Sequence, residues 1–258
     1  MKVSSNQNHN LNFNAQLISQ WKCSNIKGDA KSISIIALEK RDLDYINLFR
    51  KNLDRYRYLT PIRQAIIDAS TQMIKNILEK MSDTNNKIKM FAAIHDGDIC
   101  GLLVANVPKK LPITESTVYS SRHNPAKNET ELDWLVTWNT KLNEKIKGIG
   151  KALVSEYFRT VKTDGFRDVY VRSEIPEYSY AVNFYESVGF EKISDKRSKL
   201  ANKNTNKYVI EDLSNPEDKI IPMIITRRKQ REVSEQLEKD FCRQEFVKNS
   251  IDLEEYLK

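Results

Sequence analysis

The stretch Lys145-Ile-Lys-Gly148-Ile-Gly150-Lys-Ala-Leu153 decides how the rest of this chain is read. Two glycines stand one residue apart with basic residues on both sides. Gly150, Leu153, Val154, Tyr157, Phe158 and Val161 then recur at the i, i+3, i+4, i+7 spacing of one apolar helix face, which predicts a loop running straight into a buried helix. The first turn of such a helix carries amides with no acceptor of their own and the positive end of the helix dipole, so it favours an anion. Glycine lets a ligand approach the backbone closely, and Lys145, Lys147 and Lys151 add charge, a combination suited to a pyrophosphate.

Working outward, Glu131-Leu-Asp-Trp-Leu-Val-Thr-Trp138 alternates as a strand should, with Leu132, Trp134, Val136 and Trp138 on one face and Glu131, Asp133, Leu135 and Thr137 on the other. After the central helix, Asp168–Arg172 reads as a short strand. Ala181, Phe184, Tyr185 and Val188 mark a helix stopped by Gly189, and Phe190 begins another strand. Earlier in the chain, Ser32–Leu38 is a β-branched run that predicts a strand. Two helical patterns follow, over 41–53 and from Thr60-Pro61 to Ile77. Lys87–Val107 predicts a hairpin whose turn is His95-Asp-Gly-Asp98, which makes His95 a turn residue rather than a catalyst. Lys219–Thr226 is a last strand, held to an edge or a break by Pro222.

Residues 1–31, rich in Asn, Ser and Gln, read as a polar N-terminal arm holding at most one short helix, with Trp21 its candidate anchor. Residues 229–258 carry Val233, Leu237, Phe241, Leu253, Tyr256 and Leu257 at helical spacing and read as an amphipathic helical extension, through which a homodimer could form. The segment 32–228 between them is expected to be one domain. The chain has 258 residues, 40% of them hydrophobic, enough for a single full core. Its net charge of +7 comes from 42 basic and 35 acidic residues that are interspersed nearly everywhere, the pattern of a solvated surface rather than of a nucleic-acid stripe. Cys23, Cys100 and Cys242 are widely separated without a CxxC pair, which argues against a disulfide framework or a zinc site and for a reducing, cytoplasmic setting. No apolar run reaches the length of a signal h-region or a membrane span.

The loop resembles the acetyl-CoA loop of the GNAT superfamily of N-acetyltransferases, whose pattern is Gln/Arg-x-x-Gly-x-Gly/Ala at a helix start, with Lys145 here in the first place. A second motif, Ala181-Val-Asn-Phe-Tyr185-Glu-Ser-Val-Gly189-Phe190, resembles that family's Ala-x-x-Phe-Tyr-x-x-x-Gly-Phe, and the order of elements over 32–228 is the family's order. The resemblance implies an α/β (α+β) fold with a mixed, mostly antiparallel sheet of six to seven strands, splayed at the acetyl-CoA site, and helices on both faces. It implies that Lys145, Ile146, Lys147, Gly148, Ile149, Gly150 and Lys151 hold the pyrophosphate, and that the backbone of Leu135, Val136 and Thr137 pairs with the pantetheine. Tyr185 would protonate the departing thiolate. An Asn that the family often has before the second helix is Tyr178 here, and Asn183 is the residue that could replace it. Glu131, with Asp133 as its rival, is the candidate general base for an amine that must lose a proton before attack, and the resemblance implies a bulge near the strand's end that lets only one of the two face the thioester. The implied activity is transfer of acetyl from acetyl-CoA to a primary amine on a small molecule or a protein, without metal or covalent intermediate. A non-catalytic acyl-CoA-binding sensor is the alternative.

Overall fold

The computed structural model describes residues 14–38, 87–107, 129–137, 145–163, 168–174, 179–192 and 220–252. The helices expected over 41–53 and 60–77, Trp138, Tyr178 and residues 253–258 lie outside the described residues. Along the chain come β1 (Asn14–Asn25), β2 (Ala30–Leu38), β3 (Lys87–His95), β4 (Asp98–Val107), β5 (Glu129–Thr137), β6 (Ile146–Lys147), helix α1 (Ile149–Thr163), β7 (Asp168–Glu174), α2 (Ser179–Ser187), β8 (Glu191–Lys192), β9 (Ile220–Ile225), α3 (Arg227–Asp240) and β10 (Gln244–Asp252). The fold is mixed α/β. One sheet runs in the order β10-β1-β2-β3-β4-β5-β7-β9-β8, with β6 paired to β1 off that path, and β5–β7 is its parallel pair.

Ten strands exceed the six to seven expected, because segments near both ends of the chain join the sheet. Residues 14–25 are not a loose arm with a short helix but a strand. Ser19, Trp21 and Cys23 alternate toward the α1 face and are buried, Leu17 is buried on the opposite face across a bulge at Ile18, and Gln16 and Lys22 are exposed. Its outer neighbour is β10, registered from Asn14↔Asp252 to Gln20↔Gln244, so the extension expected to be helical is a helix followed by a strand. β3 and β4 form the expected hairpin, with Asp96 at φ 49° and Gly97 at φ 77°, the geometry of a two-residue I′ turn. His95 is therefore the last strand residue rather than part of the turn; it is buried, its Nδ1 3.0 Å from the Ser32 carbonyl oxygen.

One face of the sheet packs against α1, in which every residue from Ala152 to Phe158 is buried. The core joins Trp21, Ile33, Phe91, Leu103, Leu132, Leu153, Tyr157 and Leu237, with Val233 and Phe241 packed on its margin, so α3 covers the outer side of α1. The other face is buried as well, at Ile36, Met90, Ala92, Leu102 and Val104, which is why β2–β4 read as near-continuous apolar runs. No helix among the described residues is long and apolar enough to cross a membrane.

Candidate functional site

The site is set by where two strands part. β5 pairs with β7 only over Glu129–Leu132, opposite Asp168–Val171. Beyond Leu132 the residues Trp134–Thr137 keep β4 as neighbour but have no β7 partner, and the rest of β7 pairs with β9 alone. Parallel strands that diverge at their carboxyl ends leave a crevice with backbone polar groups along its edge, the usual location of a ligand in α/β sheets. A bulge sits at the same place. Ala105 faces Leu132 and Val104 faces Trp134, so Asp133 is the extra residue and the alternation shifts there. A bulge is what the family resemblance implies, and it corrects the plain alternation read over Glu131–Trp138: Leu132 shares the α1 face with Leu135 and Thr137, while Glu131, Trp134 and Val136 lie on the opposite one. Glu131 and Asp133 are not equivalent neighbours on one face.

The glycine loop closes one end of this crevice. β6 is tied to β1 by Ser24↔Lys147 and Asn25↔Ile146. Gly148 follows at φ +97°, and the helix begins at once. Ala152 is the first amide to find a helical acceptor, the Gly148 carbonyl at 2.9 Å. The amides of Ile149, Gly150 and Lys151 precede it and have no acceptor within the helix. Lys145 and Lys147 are exposed and Lys151 half-buried. Amides, dipole and lysines together form an anion cradle that fits a pyrophosphate.

The missing β-carbons serve packing as well as access. A methyl on Gly148 would sit 2.4 Å from the Phe241 ring, and one on Gly150 would lie 3.1 Å from the Phe184 ring and 3.8 Å from Thr137 Cγ2. The end of β5, the start of α1 and the middle of α2 therefore converge within van der Waals contact. Gly101 on β4, which sequence reasoning passed over, has the same role: a methyl there would meet Ile149 Cγ2 at 2.8 Å and Leu153 Cδ1 at 3.0 Å. Only a bare backbone lets the first turn of α1 settle this close to the sheet.

Tyr185 stands on α2 beside this convergence, held by the motif that follows it. The Phe190 amide donates to the Tyr185 carbonyl at 2.9 Å and the Gly189 amide to that of Glu186 at 3.0 Å, with Gly189 at φ +87°. This is a Schellman ending, and its apolar contact is Tyr185 against Phe190, edge to face with ring centroids 5.4 Å apart. Phe184 meets Tyr185 in the same way at 5.4 Å. Burial raises the Tyr185 phenol well above its ordinary range, so it stays protonated and can donate a proton, not accept one. Asn183, on the same helix, is exposed.

Behind the loop lies a buried polar network that sequence reasoning missed. Glu156 on α1, 1% exposed, receives Arg243 Nε at 2.6 Å and a second guanidinium nitrogen at 3.2 Å. Trp21 Nε1 at 3.0 Å and the Ser19 hydroxyl also donate to it. Burial works against the charge on Arg243, and the hydrogen bonds and attraction of Glu156 and then Glu245 more than offset it, so the guanidinium is held ionised. The Phe241 ring lies between this network and the loop, 6.3 Å from Trp21 and in contact with Gly148.

Burial also gives the protein an alkaline limit. The Cys23 thiol is pushed up to about 12 from 9.0, and the Tyr185 phenol rises for the same reason. Above about pH 9 the unfolded chain sheds a Cys23 proton that the native state keeps. The contribution of these two groups is therefore level below that pH and falls as pH rises, by about 1.4 kcal/mol per unit from Cys23, with Tyr185 joining above about pH 10. Urea unfolding at about pH 8 and about pH 11 measures the drop. Cys23→Val should flatten the first part of it, and an unchanged slope in that variant rules the thiol out.

No protein-family model and no curated protein matches the sequence. Solved structures of acetyltransferases are similar to it. A protein of Desulfovibrio desulfuricans assigned to that family has 17% identity and a TM-score of 0.46, covering 76% of this chain and 99% of its own. The PaiA N-acetyltransferase of Thermoplasma acidophilum, solved with coenzyme A, has 18% identity and a TM-score of 0.44 over 75% of this chain and 98% of its own. The Escherichia coli ribosomal-protein-S18-alanine N-acetyltransferase has 14% identity and a TM-score of 0.42 over 75% and 93%. At such distances the chemistry has to be read from this chain's own residues.

Proposed function

We propose that the protein is an acetyl-CoA-dependent N-acetyltransferase acting on a primary amine. The observation that carries this reading is the convergence of an anion-binding helix start, the unpaired end of β5 and a buried neutral tyrosine, all at the point where β5 and β7 separate. Bound acetyl-CoA supplies the activated acetyl thioester. Lys145, Ile146, Lys147, Gly148, Ile149, Gly150 and Lys151 hold its pyrophosphate through first-turn amides and lysine charge. The backbone of Leu135, Val136 and Thr137 offers the pairing groups that β7 leaves unused, and Asn183 lies on the adjoining helix face as a polar contact. Preorganised donors at such an edge polarise a carbonyl oxygen more effectively than water does. Tyr185 gives its proton to the leaving sulfur. Glu131, half-buried on the sheet face away from α1, takes one from the acceptor ammonium, directly or through water.

CoA binding tests the reading at its root. Saturation at about 100 times Kd should stabilise the native state by about 2.7 kcal/mol, visible as a higher melting temperature. Turnover is followed by free thiol release across a panel of amines. Stabilisation without thiol release on any amine would favour the acyl-CoA sensor over the enzyme, and no stabilisation would remove both. Gly148 is a poor site for blocking the loop, since any side chain there strains a φ of +97° and collides with Phe241. Substituting Lys145 and Lys147, both exposed, weakens the cradle without touching the core.

A further inference from the structure

The anion cradle rests against a side chain from the last part of the described fold, which none of the roles given above uses. Gly148 is the pivot of the loop. Before it, β6 is held by β1 through Ser24↔Lys147 and Asn25↔Ile146; after it, α1 begins with the Ala152 amide donating to the Gly148 carbonyl at 2.9 Å. Its φ of +97° suits glycine, but glycine populates negative φ about as readily, so the residue type alone does not select this conformation. A contact from outside the loop has to do so. Apart from the adjoining residues, the three heavy atoms nearest to the place of a β-carbon on Gly148 all belong to the Phe241 ring: Cε1, then Cζ at 3.0 Å and Cδ1 at 3.2 Å.

The ring is held in its turn from several sides. The Phe241 amide donates to the Leu237 carbonyl at 3.0 Å in the last turn of α3, and the Phe241 carbonyl accepts from the Lys22 amide of β1 at 2.8 Å. The ring packs on Trp21 with centroids 6.3 Å apart. Two residues on, Arg243 is fixed to Glu156 at 2.6 and 3.2 Å. Glu156 belongs to α1, about two helical turns beyond the cradle. One helix thus carries the cradle at its start and the anchor of its brace in its middle, which sets the place of the ring relative to the first-turn amides.

We propose that Phe241 is a positioning residue for the acetyl donor: by packing on Gly148 it holds the amides of Ile149, Gly150 and Lys151 in the arrangement that receives the pyrophosphate before CoA arrives. This rests on the acetyltransferase reading and adds to it a residue that acts through Gly148. A loop ordered in advance does not have to be ordered by its ligand. A cradle assembled only about 1 to 10% of the time binds about 10- to 100-fold more weakly. The effect falls on donor affinity rather than on the chemical step, because Tyr185 is held by the Phe184 and Phe190 rings and the end of β5 by β4.

Calorimetric titration of the full chain with CoA tests this. Phe241→Ala should raise Kd about 10- to 100-fold. Phe241→Leu, which keeps an apolar side chain beside Trp21 but removes the ring, should raise it in the same direction and carries the test if the alanine variant does not fold. The control is Val161→Ala, a buried change near the other end of α1, which lowers stability but should leave Kd within about twofold of wild type. In turnover, KM for acetyl-CoA should rise in Phe241→Ala while kcat at saturating acetyl-CoA is kept. An unchanged Kd in Phe241→Ala, or in Phe241→Leu where alanine does not fold, would overturn the proposal. So would an equal weakening in Val161→Ala, which would make the effect one of general stability. Failure of the parent reading shows separately, as the absence of any heat when CoA is added to the wild-type chain.

Discussion

Replacing Tyr185 with phenylalanine should, on the proposed mechanism, lower turnover by about 10- to 1000-fold, the range a positioned proton donor contributes, and leave CoA binding intact. The fold has little reason to respond. The ring keeps its edge-to-face contacts with Phe184 and Phe190, the carbonyl keeps its bond from the Phe190 amide, and the hydroxyl has no hydrogen-bond partner among the described residues that its removal would strand. On the proposed mechanism, what disappears is the proton source. Because burial raises the phenol above its ordinary range, the wild-type rate should show no loss from tyrosine ionisation at neutral or mildly alkaline pH. Steady-state kinetics and a CoA thermal shift on the same sample separate the outcomes. An unchanged kcat would mean that the thiolate leaves unassisted or through water, and a lost CoA shift would make Tyr185 a packing residue of the cradle.

Arg243→Ala should destabilise the protein by about 3 to 5 kcal/mol, the usual consequence of removing one partner of a buried ion pair and leaving the other without its counter-charge. The Arg243 side chain is 5% exposed and that of Glu156 2%, so water cannot replace the lost contact. The double variant Glu156→Leu with Arg243→Met should recover much of the loss, because well-packed apolar groups can substitute for such a pair. Urea unfolding of the two variants measures both. A loss below about 1 kcal/mol in Arg243→Ala would show that solvent reaches Glu156 and that the pair is peripheral.

Much of this arrangement was legible in the sequence because local rules and the fold agree there. The glycine loop, the α1 stripe, the β3–β4 hairpin and the Gly189 helix stop each follow from spacing or from a backbone conformation that one residue type satisfies. Reasoning failed where the deciding partner is remote or the usual residue is missing. Ser19 interrupts the apolar alternation of β1, and its reason for being inside, Glu156, is 137 residues away. α3 ends like α2, with the Arg243 amide donating to the Glu238 carbonyl at 3.1 Å and the Cys242 amide to that of Lys239 at 3.5 Å. The left-handed position, however, is filled by Cys242 at φ 45° rather than by glycine. Without a glycine to mark the stop, the apolar periodicity of 229–258 read as continuing helix, and neither β10 nor the inward turn of Arg243 was visible. The bulge at Asp133 has no residue signature of its own and was implied only by the family resemblance, yet it decides which face Glu131 shares and with whom.

The place of β10 bears on how the molecule is made. β1 pairs on its outer edge with the segment Gln244–Asp252, which leaves the ribosome more than 200 residues after it. At about 5 to 20 residues per second, that edge waits roughly 10 to 40 s for its neighbour. Until then a long strand with a buried-type tryptophan and a row of unpaired backbone groups faces the cell, the kind of edge that recruits other chains. Closure of this edge thus waits for a segment made more than 200 residues later, and β10 acts as a late seal laid over β1.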